Sequence, residues 1–175
     1  MTNRLKLGLV LGSLALAHAA AQTLDEYQVK AAFVCNFANF VEWPAAAFRN
    51  PKDPFVICVV GRSPFGHALE NLAEGKSLNG HAFAVRQVSD AAQASGCQIA
   101  FLSMSERLRF RSILDGLKTT SVLTVGDTAD FVAEGGMIAL RLDNGRIRMR
   151  MNADAARERN LRISSHLLRL AEGAR

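Results

Sequence analysis

Histidine and cysteine spacing decides whether the chain can hold a metal. His67, His81 and His166 follow the N-terminal region, and no two have the three-residue spacing of a His-x-x-x-His zinc motif. The chain contains no Cys-x-x-Cys pair, no Gly-x-Ser-x-Gly motif and no phosphate-binding Gly-x-x-x-x-Gly-Lys-Ser/Thr motif. We therefore predict a protein without a metal, a cofactor or an enzymatic activity.

Two polar segments follow apolar runs and are candidate ligand sites. One is the turn from Gly61 to Gly66, which lacks a phosphate-binding lysine and is typical of a tight turn. Its alternative role is as the wall of a crevice for a small ligand at the carboxyl end of a strand, formed by Gly61, Arg62, Ser63 and Gly66. The other is Asp127, for which we predict a capping or turn role. The alternative is a general acid or base, with Asp130, Glu134 and Arg62 as its candidate partners.

The first residues have the pattern of a secretory signal. Arg4 and Lys6 precede ten apolar residues, 7–16, and small residues at 17–21 supply a cleavage site. Ten apolar residues are too few to span ~30 Å of hydrocarbon. We predict a signal peptide over residues 1–21, a mature chain without a transmembrane segment, and export to the periplasm of a Gram-negative bacterium.

Composition indicates one globular domain over residues 22–175. The chain is 49% hydrophobic and 21% charged, which is the balance of a folded protein. Removal of residues 1–21 leaves 19 basic and 16 acidic residues, a net charge of +3. This small charge argues against general nucleic-acid binding.

Three cysteines in an exported protein suggest one disulfide and one remaining thiol. Cys58 and Cys97 lie in or beside apolar runs that read as neighbouring strands, which favours their pairing over the other two combinations. We predict that Cys35 lies beside the apolar stripe of a helix, partly exposed, with a structural role; a redox role is the alternative.

Strand and helix signals alternate along the chain. Val29, Phe33, Phe37 and Phe40 form one predicted stripe of an amphipathic helix from residue 24 to 41, which Pro44 cannot continue. Further strands are predicted near 55–60, 83–88, 97–102 and 121–125, and helices near 65–72, 91–94 and 105–117, the last capped by Ser105. This alternation predicts an α/β fold with a mostly parallel central sheet between helices, an α/β/α sandwich.

A β-hairpin is predicted in the C-terminal third, because Asn144-Gly145 suits a type I′ turn between residues 138–142 and 147–151. A two-residue loop sets Arg141 opposite Arg148 and gives the hairpin one apolar and one basic face, which Arg150 extends. This basic face is either a solvated edge or a surface for an acidic partner. Asn152 and Ser164 are predicted caps of two short helices.

Several separated stretches of the sequence occur in the order expected for a known family: 29–33, 40–44, 54–61, 64–66, 96–99, 123–125, 135–138 and 161–165. On these stretches the chain resembles the YfiR family, periplasmic negative regulators of membrane diguanylate cyclases. The resemblance covers nearly all of the mature chain. Two positions depart from the family pattern: Cys35, where an aromatic is more usual, and Arg150, where an acidic residue is expected.

The resemblance implies an α/β fold, a homodimer, a Cys58–Cys97 disulfide and no catalysis. It also implies that the protein binds the periplasmic domain of a membrane diguanylate cyclase, lowers cyclic di-GMP and biofilm formation, and is captured by an OmpA-like outer-membrane lipoprotein. Because Trp and Arg often anchor interfaces, the candidate contact residues are Trp43, Glu42, Arg141, Arg148, Arg150 and Arg162.

Two other functions remain open. A periplasmic small-molecule sensor would use a crevice near Gly61–Gly66 or Arg162, and an accessory protein would serve a membrane sensor kinase. A thiol redox protein using Cys35 is disfavoured because no second cysteine lies near it in sequence.

Overall fold

The computed structural model describes residues 26–171. The predicted signal peptide, residues 1–21, lies outside the described residues. No helix within residues 26–171 combines the length and apolarity needed to cross a membrane.

A seven-stranded sheet forms the centre of the fold, in the spatial order β3-β4-β2-β5-β6-β7-β8. Five strands, β4, β2, β5, β6 and β7, run parallel, and the edge strands β3 and β8 are antiparallel to their neighbours. The strands are β2 (Phe55–Val60), β3 (Ser77–Leu78), β4 (His81–Val88), β5 (Ile99–Leu102), β6 (Leu123–Gly126), β7 (Ile138–Asp143) and β8 (Arg146–Met151).

Helices cover both faces of the sheet, as the α/β/α prediction requires. Helix α1 (residues 26–36), α2 (Ala68–Ala73), α5 (Ala153–Glu158) and α6 (Ser165–Leu170) lie on the face that we call face A, where Phe55, Ile57 and Val59 point. Helices α3 (Ala91–Ala94) and α4 (Phe110–Gly116) lie on the opposite face B. All six residues of β2 are buried because both faces are covered.

The predicted stripe of α1 is confirmed for its three phenylalanines and wrong for Val29: Phe37 is buried, and Phe33 and Phe40 pack against the face A core. The buried face of the first segment carries Lys30, Ala31, Val34, Cys35 and Phe37, whereas Val29 is 42% exposed. The α-helix is also shorter than predicted: it gives way to a 3₁₀ turn, Phe37–Asn39, and then to strand β1 (Val41–Glu42).

The predicted N-cap Ser105 was also wrong, although by only two residues. Ser103 is the cap, and its hydroxyl accepts a hydrogen bond from the backbone N–H of Ser105. The segment that follows is a 3₁₀ helix, Met104–Arg109, before α4 begins.

The C-terminal hairpin has the predicted register. Arg141 lies opposite Arg148 and Asp143 opposite Arg146, with Asn144 and Gly145 at positive φ in the turn. Asn152 and Ser164 cap α5 and α6 through their side-chain oxygens, as predicted. Between these helices lies strand β9 (Arg162–Ile163), which pairs with β1.

The predicted Cys58–Cys97 disulfide is present, with its Cα atoms 6.0 Å apart. Cys58 lies on β2, and Cys97 precedes the neighbouring parallel strand β5. The disulfide packs with Val56 in a small apolar cluster on face B.

We predict that Gly136→Ala destabilises the fold, because a methyl group at this position would overlap the buried ring of Phe131. That ring packs edge-to-face against Phe110, with the two centroids 5.3 Å apart, and has little room to move. The free energy of unfolding should fall by about 2 kcal/mol in urea denaturation.

The control is Gly96→Ala, where an added methyl group meets no atom within 4 Å. Its unfolding free energy should change by no more than about 0.5 kcal/mol. Equal stability of the two variants would contradict this description of the Phe131 site.

Candidate functional site

The short ribbon of β1 and β9 brings together three of the predicted contact residues. Glu42 pairs in register with Arg162, and Trp43 follows directly. The backbone N–H of Ser164 donates to the carbonyl of Phe40 at 2.8 Å and extends the pairing. Glu42 and Arg162 are exposed, so this ribbon is a charged surface over face A.

Trp43 is held by the fold on one side. Its indole N–H donates to the backbone oxygen of Gln98 at 3.0 Å, and its ring packs edge-to-face on Phe55 with the centroids 4.9 Å apart. The side chain is half-buried. The polar atom of the indole is therefore used inside the protein, and only the remaining ring surface is available to a partner.

The hairpin arginines form a second surface, on the other side of the sheet. Arg150 lies in register with Ala139, which packs in the face B cluster, whereas the alternating residues Leu140 and Met149 pack on face A. Arg141, Arg148 and Arg150 are all exposed, and Arg141 lies 3.5 Å from the carboxylate of Asp143. The six predicted contact residues therefore divide between two separate surfaces.

The turn after β2 lies where the parallel strand order reverses. Gly61 directly follows β2, and the next two parallel strands of the chain, β4 and β5, lie on either side of β2. Gly61 borders an open pocket of about 440 Å³ together with Ser89, Glu106 and Arg109. Arg62, Ser63 and Gly66, the other predicted crevice residues, do not line this pocket.

The same turn packs tightly against the next loop. The backbone N–H of Arg62 donates to the hydroxyl of Ser105 at 3.0 Å. A side chain at Gly61, whose φ is +87°, would lie 2.5 Å from that hydroxyl. Close packing thus explains the glycine at this position.

Gln98 makes hydrogen bonds to several segments of the chain, and none of these contacts was predicted from the sequence. Its side chain accepts from the backbone N–H of Val56 and donates to the carbonyl of Ala47, both at 2.7 Å. Its own backbone oxygen accepts from Trp43 and from the N–H of Leu123. One buried amide therefore joins the loop after β1 to the first residues of β2, β5 and β6.

A buried charged cluster joins α1 to the carboxyl end of β6, and it too was missed. The ammonium group of Lys30 lies 2.5 Å from Glu26 and 3.9 Å from Asp127, and its side chain is 2% exposed. The hydroxyl of Tyr27 donates to Oδ2 of Asp127 at 2.6 Å. Asp127 thus has structural partners on α1, while it lies in the bend that follows β6.

Sequence offered only a weak signal for this cluster. Glu26 and Lys30 have the i, i+4 spacing of a helical ion pair, but such pairs are ordinarily exposed and weak. The contact with Asp127 spans about 100 residues of the chain and has no local pattern. Within residues 26–171, no group of three or more His, Cys, Asp or Glu side chains is placed to hold a metal ion.

Cys35 is 1% exposed, so the prediction of partial exposure was wrong. Burial raises the pKa of its thiol, and the positive charge of Lys76 offsets part of that rise. Both effects of burial, the loss of access and the loss of thiolate, oppose thiol chemistry.

We predict that Cys35 does not react with Ellman's reagent in the native oxidised protein, and that one thiol per chain reacts once urea unfolds it. Cys35→Ser is the control and should release no colour in either state. Rapid reaction of a native thiol would contradict the observed burial.

We predict that Tyr27 ionises only when the protein unfolds. Burial, the hydrogen bond to Asp127 and the negative charge of that carboxylate together raise the pKa of its phenol far above the ordinary value. Tyr27 is the only tyrosine in the chain, so phenolate absorbance reports on it alone.

The raised pKa stabilises the fold below the unfolded-state value of about 10, and this stability is lost as the pH rises above it. An alkaline titration should therefore show phenolate absorbance and loss of tertiary circular dichroism in the same pH interval. The urea-unfolded protein, as control, should titrate near pH 10. Titration near pH 10 in the folded protein would contradict the contact with Asp127.

Comparisons with known proteins agree with this architecture. None of the curated proteins matches the chain significantly. A conserved domain protein from Vibrio cholerae O1 biovar El Tor has a similar crystal structure, with a TM-score of 0.54 and 12% identity, over 69% of this chain and 55% of that chain. The chain thus spans little more than half of that protein, and the likeness shows a shared fold alone.

A second solved structure, the ABC domain in complex with L-Trp from Streptococcus pneumonia, has a TM-score of 0.49 and 9% identity over 67% of this chain and 54% of that chain. The model of the YfiR/HmsC-like family matches residues 27–172, nearly all of the described chain. The chain belongs to the YfiR/HmsC-like family.

Proposed function

We propose that this protein is an exported, non-enzymatic regulator that represses an inner-membrane diguanylate cyclase by binding its periplasmic domain. Repression lowers cyclic di-GMP and restrains biofilm formation. In this proposal residues 1–21 are a cleaved signal peptide, residues 22–175 act as one domain in the periplasm, and the mature chain is a homodimer. An OmpA-like outer-membrane lipoprotein relieves the repression by capturing the regulator.

The family match over residues 27–172 is the observation that carries this proposal. Membership of the YfiR/HmsC-like family suggests a periplasmic regulatory protein. The match spans the strands, the helices and the hairpin together, so it is not the signature of one local motif. The Cys58–Cys97 disulfide supports export, because stable disulfides are typical of oxidising compartments.

The two charged surfaces supply separate places for partners. The ribbon surface carries Glu42 and Arg162 over face A, and the hairpin surface carries Arg141, Arg148 and Arg150 on face B. We assign the hairpin surface to the cyclase, whose contact region would carry carboxylates. Arginine suits this role because its planar fork binds a carboxylate through two parallel hydrogen bonds.

Separate surfaces also fit a protein that must pass between partners. The ribbon surface remains open when the hairpin surface is covered, since the two lie on opposite faces of the sheet. A second partner, such as the lipoprotein, can then begin to bind before the first is released. If both partners bound one shared surface, the second could bind only after the first had dissociated spontaneously.

The test is deletion of the gene, complementation with variants, and measurement of cellular cyclic di-GMP by mass spectrometry. Deletion should raise cyclic di-GMP several-fold, and the wild-type gene should restore the low level. Arg150→Glu should fail to restore it fully, because reversal of an interface charge weakens binding by roughly tenfold or more.

Arg111→Glu is the matched control, because Arg111 is an exposed arginine on α4 and lies outside both surfaces. It should complement like wild type at equal periplasmic abundance. Unchanged cyclic di-GMP in the deletion strain, despite confirmed expression in the parent, would overturn the cyclase proposal in favour of a kinase accessory protein or a sensor.

A further inference from the structure

A groove of about 790 Å³ lies at the amino edge of the sheet, and Gln93 separates it from the Gly61 pocket by lining both. We call it the disulfide groove; its lining includes Asn50, Val56, Arg86, Gln93, Cys97 and Thr120. Its volume is that of a typical small-molecule site.

The floor of the groove is apolar and buried. Val56 and Cys97 are 4% and 5% exposed, and with Cys58 they form the small face B cluster. Cys97 lines the groove, whereas its disulfide partner Cys58 is fully buried and does not. Ala46 and Ala92, which are exposed, add further apolar lining.

Arg86 supplies an uncompensated positive charge beside this floor. It lies in register with Cys58 on the neighbouring strand, so its side chain is on the same face of the sheet. Arg86 is exposed and forms no ion pair with any carboxylate in residues 26–171. Of the other charged lining residues, Arg49 lies near Asp53, whose carboxylate already accepts hydrogen bonds from Asn50.

One wall of the groove is fixed in place before any ligand binds. Ala47 belongs to this wall, and its carbonyl accepts the side-chain amide of Gln98. The Trp43 indole bonds to the backbone of the same Gln98. A wall held by buried hydrogen bonds costs little ordering entropy on binding, which favours a real site over a surface depression.

Hydroxyl groups also line the groove. Thr119, Thr120 and Ser121 follow α4 and border the groove, and the Thr120 hydroxyl donates to the carbonyl of Leu117. The side chains of Thr119 and Ser121 make no hydrogen bond within the described part of the chain. These two hydroxyls are available to donate to an anion.

We propose that the disulfide groove binds a small organic anion, with its carboxylate or phosphate on Arg86 and its apolar body over Val56 and Cys97. This assignment is independent of the cyclase proposal. It needs only the groove, its charge and its apolar floor.

The experiment is a titration of the ¹⁵N-labelled protein, with intact disulfide, followed by amide chemical shifts. The probes are benzoate, phenyl phosphate and the neutral benzyl alcohol. The two anions should give saturable shifts at groove residues, and the alcohol should bind at least roughly tenfold more weakly, because a charged hydrogen bond is lost. The tighter of the two anions identifies the head group that the site prefers.

Arg86→Gln should weaken anion binding by roughly tenfold, whereas the matched Arg111→Gln, outside the groove, should not. The comparison of benzoate with benzyl alcohol uses the unaltered protein and therefore does not depend on how a variant folds. The proposal is overturned by shifts that never saturate, by shifts centred outside the groove, or by equal affinity for the alcohol and the anions.

Discussion

The buried ammonium group of Lys30 determines how the first helix lies on the sheet. A buried charge costs several kcal/mol unless it is paired, so α1 must present Lys30 to Glu26 and Asp127. In this orientation of α1, Val29 faces solvent, and Val34 and Cys35 lie in the core. The chain then leaves the helix in the direction that lets β1 pair with β9 and places Trp43 on Phe55.

The segment that follows α1 and β1 also makes contacts at the amino edge of the sheet. Trp43 donates to the backbone of Gln98, and Gln98 ties the loop after β1 to the first residues of β2. Trp43 and Gln98 therefore link the end of the β1–β9 ribbon to the wall of the disulfide groove.

Local pattern was enough to predict the central sheet, the hairpin register and the disulfide. Strand β2 is a short apolar run between turn residues, and Asn144-Gly145 fixes the register through its positive φ angles. The stripe of α1 failed only at Val29, because the fold buries the neighbouring Lys30, which no apolar pattern predicts. The β1–β9 pairing and the contacts of Gln98 and Asp127 join segments that are distant in sequence. No local sequence pattern predicts such contacts.

For the predicted contact residues, the sequence was enough to predict exposure but not their placement on two faces of the sheet. Sequence identified Glu42, Arg150 and Arg162 as charged and available, and the structure leaves all three exposed. Their division between two faces of the sheet follows from the alternation of side chains along β7 and β8 and from a pairing that only the tertiary structure supplies. A fold of this kind supports many functions, so the regulatory role must be tested at these surfaces rather than at the sheet.

The most direct measurement is isothermal titration calorimetry of the mature, disulfide-bonded protein against the purified periplasmic domain of the membrane diguanylate cyclase that we propose as its partner. Our account predicts saturable binding that weakens as salt is added, because arginine–carboxylate contacts on the surface are screened. Absence of binding at concentrations well above those of the periplasm, with both proteins folded, would contradict the central claim that this protein acts by covering a partner.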